Sequence, residues 1–110
     1  MPLDQLSFED FAQWVKTRFR VAMASEESIE LELVEATPAR TFSPAGAKGP
    51  VFESFSLIFL GPGNRVLPQR SYWFESDDAG RFELFIVPIG MEPKGIKYEA
   101  AFNRRLKDES

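Results

Sequence analysis

The feature that most constrains this chain is a repeat of two. Apolar and polar residues alternate through Ile29-Glu30-Leu31-Glu32-Leu33, and the same rhythm returns at Phe55-Ser56-Leu57, Phe82-Glu83-Leu84 and Ile96-Lys97-Tyr98-Glu99-Ala100. Successive side chains of a strand point to opposite faces, so each run reads as a strand with one buried face. Turn formers separate the runs, notably Gly61-Pro62-Gly63-Asn64 and Asp77-Asp78-Ala79-Gly80. The pattern predicts about six antiparallel strands, at roughly 19–24, 29–35, 51–60, 69–76, 81–87 and 96–102. The first two are joined as a hairpin, and Glu30 and Glu32 face water.

The N-terminal segment keeps a different period. Ser7 is placed to cap a helix, with Asp10 three residues on to return the bond and Leu6 able to pack against Phe11. Phe8, Phe11, Ala12 and Val15 recur at helical spacing, with Trp14 widening the stripe, which predicts a helix over about 8–18. Residues 37–50 hold three prolines and two glycines and read as a long loop, and 103–110 as a charged tail. A chain of 110 residues is the size of one domain, 1–110. The expected fold class is α+β, mainly β: an N-terminal helix packed on an antiparallel sheet or small barrel of about six strands.

Two of these strands are apolar on part of their second face, at Ile58 and Leu60 and at Phe85 and Val87. A one-sided sheet does not require this. The helix is the first candidate to cover that face, because its own apolar stripe needs a surface; a second copy of the chain is the other.

The chemistry is bounded by what is missing. The chain has no histidine and no cysteine. Histidine triads, zinc protease helices, thiolate metal sites and disulfides are therefore excluded. Thirteen Lys and Arg are scattered among seventeen Asp and Glu, for a net charge of −4, so no basic stripe is available for a phosphate backbone. No apolar run approaches the length of about 18 residues that spans a bilayer, and Met1 to Gln5 do not open a signal peptide. The chain reads as cytoplasmic, with neither nucleic acid nor membrane as partner, and no cofactor is implied.

Single residues give weaker signals. Glu83 shares a face with Phe85 and Val87, which would suit a catalytic acid of raised pKa, but a solvated Glu paired across the strands is the simpler reading. Glu53, Glu75 and Glu99 would form an acid/base pair only if their strands are neighbours. Asp77-Asp78 is turn chemistry, since a calcium loop needs more ligands at set spacing, and Gly61-Pro62-Gly63 lacks the Lys and helix of a phosphate loop. Tyr72, Trp73, Tyr98 and Trp14 are either groove-lining aromatics or core, and Arg40, Lys48 and Arg70 are either anion contacts or solvated charges. The candidate binding residues are Ile58, Leu60, Trp73, Phe85 and Arg40. No catalytic or metal-ligating residue is identified.

The runs Phe55-Ser56-Leu57 with Phe59 and Gly61-Pro62, Leu67-Pro68-Gln69 with Tyr72, Glu83-Leu84-Phe85 with Val87-Pro88-Ile89-Gly90, and Tyr98-Glu99-Ala100 with Phe102-Asn103 form a larger pattern. Together with Leu6-Ser7-Phe8-Glu9-Asp10-Phe11, they resemble an uncharacterised bacterial domain-of-unknown-function family of small stand-alone proteins. The resemblance covers nearly the whole chain except 37–50. It brings no active site with it, and it implies a setting beside phage-tail-collar-type fibre proteins.

Taken together these features predict a non-enzymatic interaction or structural accessory module, of a tail-like bacterial assembly, whose partner is another protein or a second copy. The alternative is a small β-barrel holding an apolar or carbohydrate ligand in its mouth, and a carboxylate-dependent hydrolase is the most distant reading.

Overall fold

The computed structural model describes residues 6–23, 27–38, 40–43 and 49–105. Ser25, Lys48 and the tail beyond Arg105 lie outside them. One short helix, α1 (Phe8–Ala12), precedes seven strands: β1 (Arg18–Ala22), β2 (Ser28–Ala36), β3 (Arg40–Phe42), β4 (Phe52–Gly61), β5 (Arg70–Ser76), β6 (Gly80–Glu92) and β7 (Gly95–Arg105). The fold is mainly β. The strand order is β2-β1-β5-β6-β7-β4-β3, and β2 also pairs with β4. That last pairing closes six strands into an antiparallel barrel, and closure removes the open edges a flat sheet would have to protect. β3 stays outside the ring, paired to β4 at Arg40↔Ser54 to Phe42↔Phe52.

Strand alternation fills the barrel interior. Phe19, Leu31, Leu57, Phe59, Phe74, Phe82, Ile86 and Tyr98 are all buried to within 1%. The rings interlock: Phe19 meets Phe59, Phe74 and Phe82 edge-on at 5.8 to 6.2 Å, and Phe55 stacks on Phe102 at 4.5 Å. Such pairs add about 0.5–1.5 kcal/mol each beyond the area they bury. Most of the aromatic rings are thus spent inside the barrel.

The helix is shorter than its periodicity predicts, and it packs elsewhere. Its capping box is present, with the Asp10 N–H donating to Ser7 Oγ at 3.2 Å and the Ser7 N–H donating to Asp10 Oδ2 at 2.9 Å. After Ala12 the turns tighten, with Trp14 bonding back to Phe11 and Thr17 to Trp14. Lys16 then takes a left-handed conformation at φ 80°. Its N–H goes to Leu33 O, and Thr17 O accepts the Leu33 N–H. Pairing with β2 wins residues 16–18 from the helix, because a ladder bond anchored to a closed barrel outweighs a few tenths of a kcal/mol of helix propensity.

Nor does the helix cover the outer patch of Ile58, Leu60, Phe85 and Val87. Phe11 enters the barrel end instead, 5.4 Å from Phe102, 5.7 Å from Phe82 and 6.2 Å from Phe55. Among the described residues the β6–β7 ladder runs between Val87↔Glu99 and Glu92↔Gly95. Phe11 stands between Phe82 and Phe102 beyond the end of that ladder, which explains the preference: the inner rings offer a fully dry socket.

Two loops also differ from expectation. Residues 40–42, inside the expected loop 37–50, form β3, whose short stretch of pairing gives no apolar period to read. Residues 88–95, which lie between the expected strands 81–87 and 96–102, continue β6 through a bulge at Pro88/Gly90 to the two-residue turn Pro93-Lys94.

Candidate binding site

With the interior filled, chemistry is left to the outer wall and the barrel rims. On β5 and β6 the outward residues pair as Ser71↔Phe85, Trp73↔Glu83 and Glu75↔Arg81. Phe85 is 50% exposed and Trp73 41%. These two large rings lie diagonally on neighbouring strands, and the Arg81 guanidinium sits 4.3 Å from the Trp73 ring centre. Such a contact holds the indole in place while leaving much of its surface in water.

Beside Trp73 the wall opens into a groove of about 520 Å³. It lies where β1 ends, at Ala22, and is walled by Met23 on one side and by Arg65 and Pro68 of the β4–β5 connection on the other, with Arg70, Tyr72 and Trp73 of β5 between them. The connection is held down by two tyrosines. Tyr98 Oη accepts the Leu67 N–H at 2.9 Å, and Tyr72 Oη donates to Pro68 O at 2.7 Å. Burial raises the Tyr72 pKa above its ordinary value of 10.0; Arg70 and Arg65 oppose the rise and Tyr98 adds to it. Both arginines line the groove together with Tyr72. Arg65 also reaches Glu27 at 3.0 Å, while Arg70 lies 5.8 Å from the Tyr72 ring centre and has no ion pair among the described residues.

The five residues singled out from sequence do not form one site. Trp73 and Phe85 share the β5–β6 wall. Ile58 stands between Glu35 of β2 and Glu99 of β7, and Leu60 between Glu32 and Lys97. Leu60 also lines a smaller depression of about 270 Å³ with Arg18, Glu30, Glu32 and Lys94, where Arg18 faces Glu30 at 3.7 Å. Arg40 is on β3, away from both. Of the remaining aromatics, Tyr98 and Trp14 belong to the core and its margin. Arg65 and Pro68 carry no periodic signal, being loop residues, while Met23, expected in the first strand, lies just past the end of β1, and only the fold brings the three to Trp73.

The carboxylates are dispersed. Glu83 is exposed opposite Trp73. Glu53 faces Arg104 at 3.7 Å, Glu75 faces Arg20 at 3.7 Å, and Glu99 sits between Ile58 and Val87. The acid/base pair weighed for Glu53, Glu75 and Glu99 is not assembled. Among the described residues no group of three or more Asp and Glu could hold a metal ion, and no helix is long and apolar enough to cross a membrane.

No curated protein and no solved structure matches the chain. A family model, described as a domain of unknown function, matches residues 6–102, a span that runs from the helix cap through the strands of the barrel and includes the whole groove. The chain belongs to this domain-of-unknown-function family, DUF6916.

Proposed function

We propose that this protein is a non-enzymatic binding module that recognises another protein through the outer wall of its barrel at β5 and β6. The observation that carries this reading is the exposure of Trp73 and Phe85 on adjacent strands of a barrel whose inside is already full. Aromatic rings of this kind, half in water and rigidly mounted, are what protein interfaces concentrate at their centres. A ligand in the barrel's mouth has less support, since Tyr98, Ile86 and Leu67 occupy that end of the interior. The family resemblance suggests the setting: an accessory of a larger bacterial assembly such as a tail-like particle.

The test is site-specific photocrosslinking in cells that make the protein, with the reactive residue at position 85 and, as the control wall, at position 58. A discrete adduct from position 85 and none from position 58 supports the reading. An adduct of the mass of two chains identifies a second copy as the partner. Equal, diffuse labelling at both positions overturns it.

A further inference from the structure

Among the described residues, α1 is tied to the barrel by apolar side chains. Its capping box joins Ser7 to Asp10, and the N–H groups of Phe11, Gln13, Trp14 and Val15 donate to the carbonyls of Ser7, Glu9, Phe11 and Ala12. The first hydrogen bond to the barrel is that of the Lys16 N–H to Leu33 O. Each of the six ring strands, by contrast, is laddered to a neighbour on both sides. What holds α1 down is the burial of Phe11 and Leu6, with Phe8, Trp14 and Val15 packed at the margin. Lifting residues 6–15 away breaks no ladder bond. It exposes these side chains and returns the conformational freedom of the segment, two effects of opposite sign and comparable size. Opening any strand breaks ladders as well, so this segment is the part of the fold that opens first.

What lies beneath has a defined shape. The Phe11 ring stands edge-on to Phe82 and is tilted to Phe55 and Phe102, with centres 5.4 to 6.2 Å apart. These walls are held by contacts that do not involve Phe11. Phe55 stacks on Phe102 at 4.5 Å, Phe82 stacks on Phe74 at 6.1 Å, and the Arg104 guanidinium, paired with Glu53, lies 5.0 and 5.3 Å from the Phe55 and Phe102 ring centres. We infer that α1 is a removable plug, which swings out ahead of Lys16 while the barrel stays closed and uncovers a socket for one uncharged aromatic ring. Phe11 is the template for that ligand, since its own phenyl group fills the space. The socket is at the other end of the barrel from the groove and does not depend on the protein-binding reading.

Toluene is the probe, and p-toluenesulfonate, the same ring with a charge, is its control. In the parent chain, the amides of Phe11, Gln13, Trp14 and Val15 should be protected from hydrogen exchange at least tenfold less than those of Leu57 to Leu60. Toluene near saturation should speed exchange at these four amides severalfold and leave β4 unchanged, because it binds only the open form. Toluenesulfonate should do neither. Simple fraying of the helix would leave the exchange indifferent to toluene. Trp73→Phe leaves Trp14, on the plug, as the one tryptophan of the chain, and its emission should move to longer wavelength in urea before the far-ultraviolet signal of the strands falls. Equal protection of plug and β4, coincident urea transitions, plug exchange unmoved by toluene, or an equal response to toluenesulfonate each overturns the proposal.

Discussion

The hydroxyl of Tyr98, on a fully buried ring of β7, accepts the backbone N–H of Leu67 at 2.9 Å. Leu67 is itself 1% exposed, so its N–H has no water to turn to. This side-chain oxygen, together with the Tyr72 hydroxyl on Pro68 O, fixes the connection that carries Arg65 and Pro68 into the groove. Tyr98→Phe keeps the ring and orphans the donor, which should cost about 1–3 kcal/mol. The urea midpoint should fall with little change in slope, and the Leu67 amide should exchange faster. An unchanged midpoint would mean that the loop is held by packing and the Tyr72–Pro68 hydrogen bond without it.

Phe11 should be the most costly single truncation in the helix. It is fully buried and contacts Phe55, Phe82, Phe102 and Trp14, whereas Phe8 is half-buried and meets Phe55 alone among the rings. Phe11→Ala should lose about 3–5 kcal/mol, enough to unfold much of a marginally stable domain, and Phe8→Ala distinctly less. Equilibrium denaturation of both variants checks the order.

Tyr72 makes stability fall in alkali. Because burial raises its folded pKa above 10.0, the native state holds the phenolic proton over a range where the unfolded chain has released it. This contribution is complete below pH 10 and is lost as pH rises through the folded pKa. Arg70→Ala removes a charge that favours the phenolate, so it should raise the Tyr72 pKa further. The difference in phenolate absorbance between the parent and Tyr72→Phe isolates this one group, and a lower pKa in Arg70→Ala would contradict the assignment.

Lys16 occupies the left-handed region at φ 80°, where a side chain costs about 1 kcal/mol that glycine does not. Lys16→Gly should raise the melting temperature by a few degrees, and Lys16→Val should lower it by more. At Gly95, φ is +147° and an added methyl would overlap the carbonyl oxygen of Gly61. Gly95→Ala should therefore destabilise the barrel by about 1–3 kcal/mol, since backbone rather than a mobile side chain must yield. Thermal unfolding followed by circular dichroism reads both.

Much of the barrel is written locally. The alternations at Ile29–Leu33, Phe55–Phe59 and Phe82–Ile86 mark inward and outward residues, and Ser7 and Asp10 mark the helix start. What is not local is not legible. The helix stops at Ala12 and its expected last turn is given up where Lys16 and Thr17 meet Leu33, a partner 16 or 17 residues away, and β3 exists only because β4 has a free edge beside it. Pro88 and Gly90 look like a loop until the β7 ladder shows them as a bulge. Trp73 and Phe85 could be picked out as apolar on an outward face, but Ile58 and Leu60, chosen on the same ground, fall among Glu32, Glu35, Lys97 and Glu99. The groove joins β1, β5 and the β4–β5 connection, and no single stretch of sequence contains it.

The placement of Phe11 also gives the molecule poles. Leu6 and Phe11 at one end of the described chain, and Phe102 to Arg105 at the other, gather where the barrel is plugged, and Arg105 lies opposite Phe52 at the start of β4. Arg70, Tyr72 and the Tyr98 hydroxyl belong to the opposite rim. A tether, fusion partner or sensor surface attached through either terminus therefore joins the barrel at its closed pole and leaves the groove facing outward.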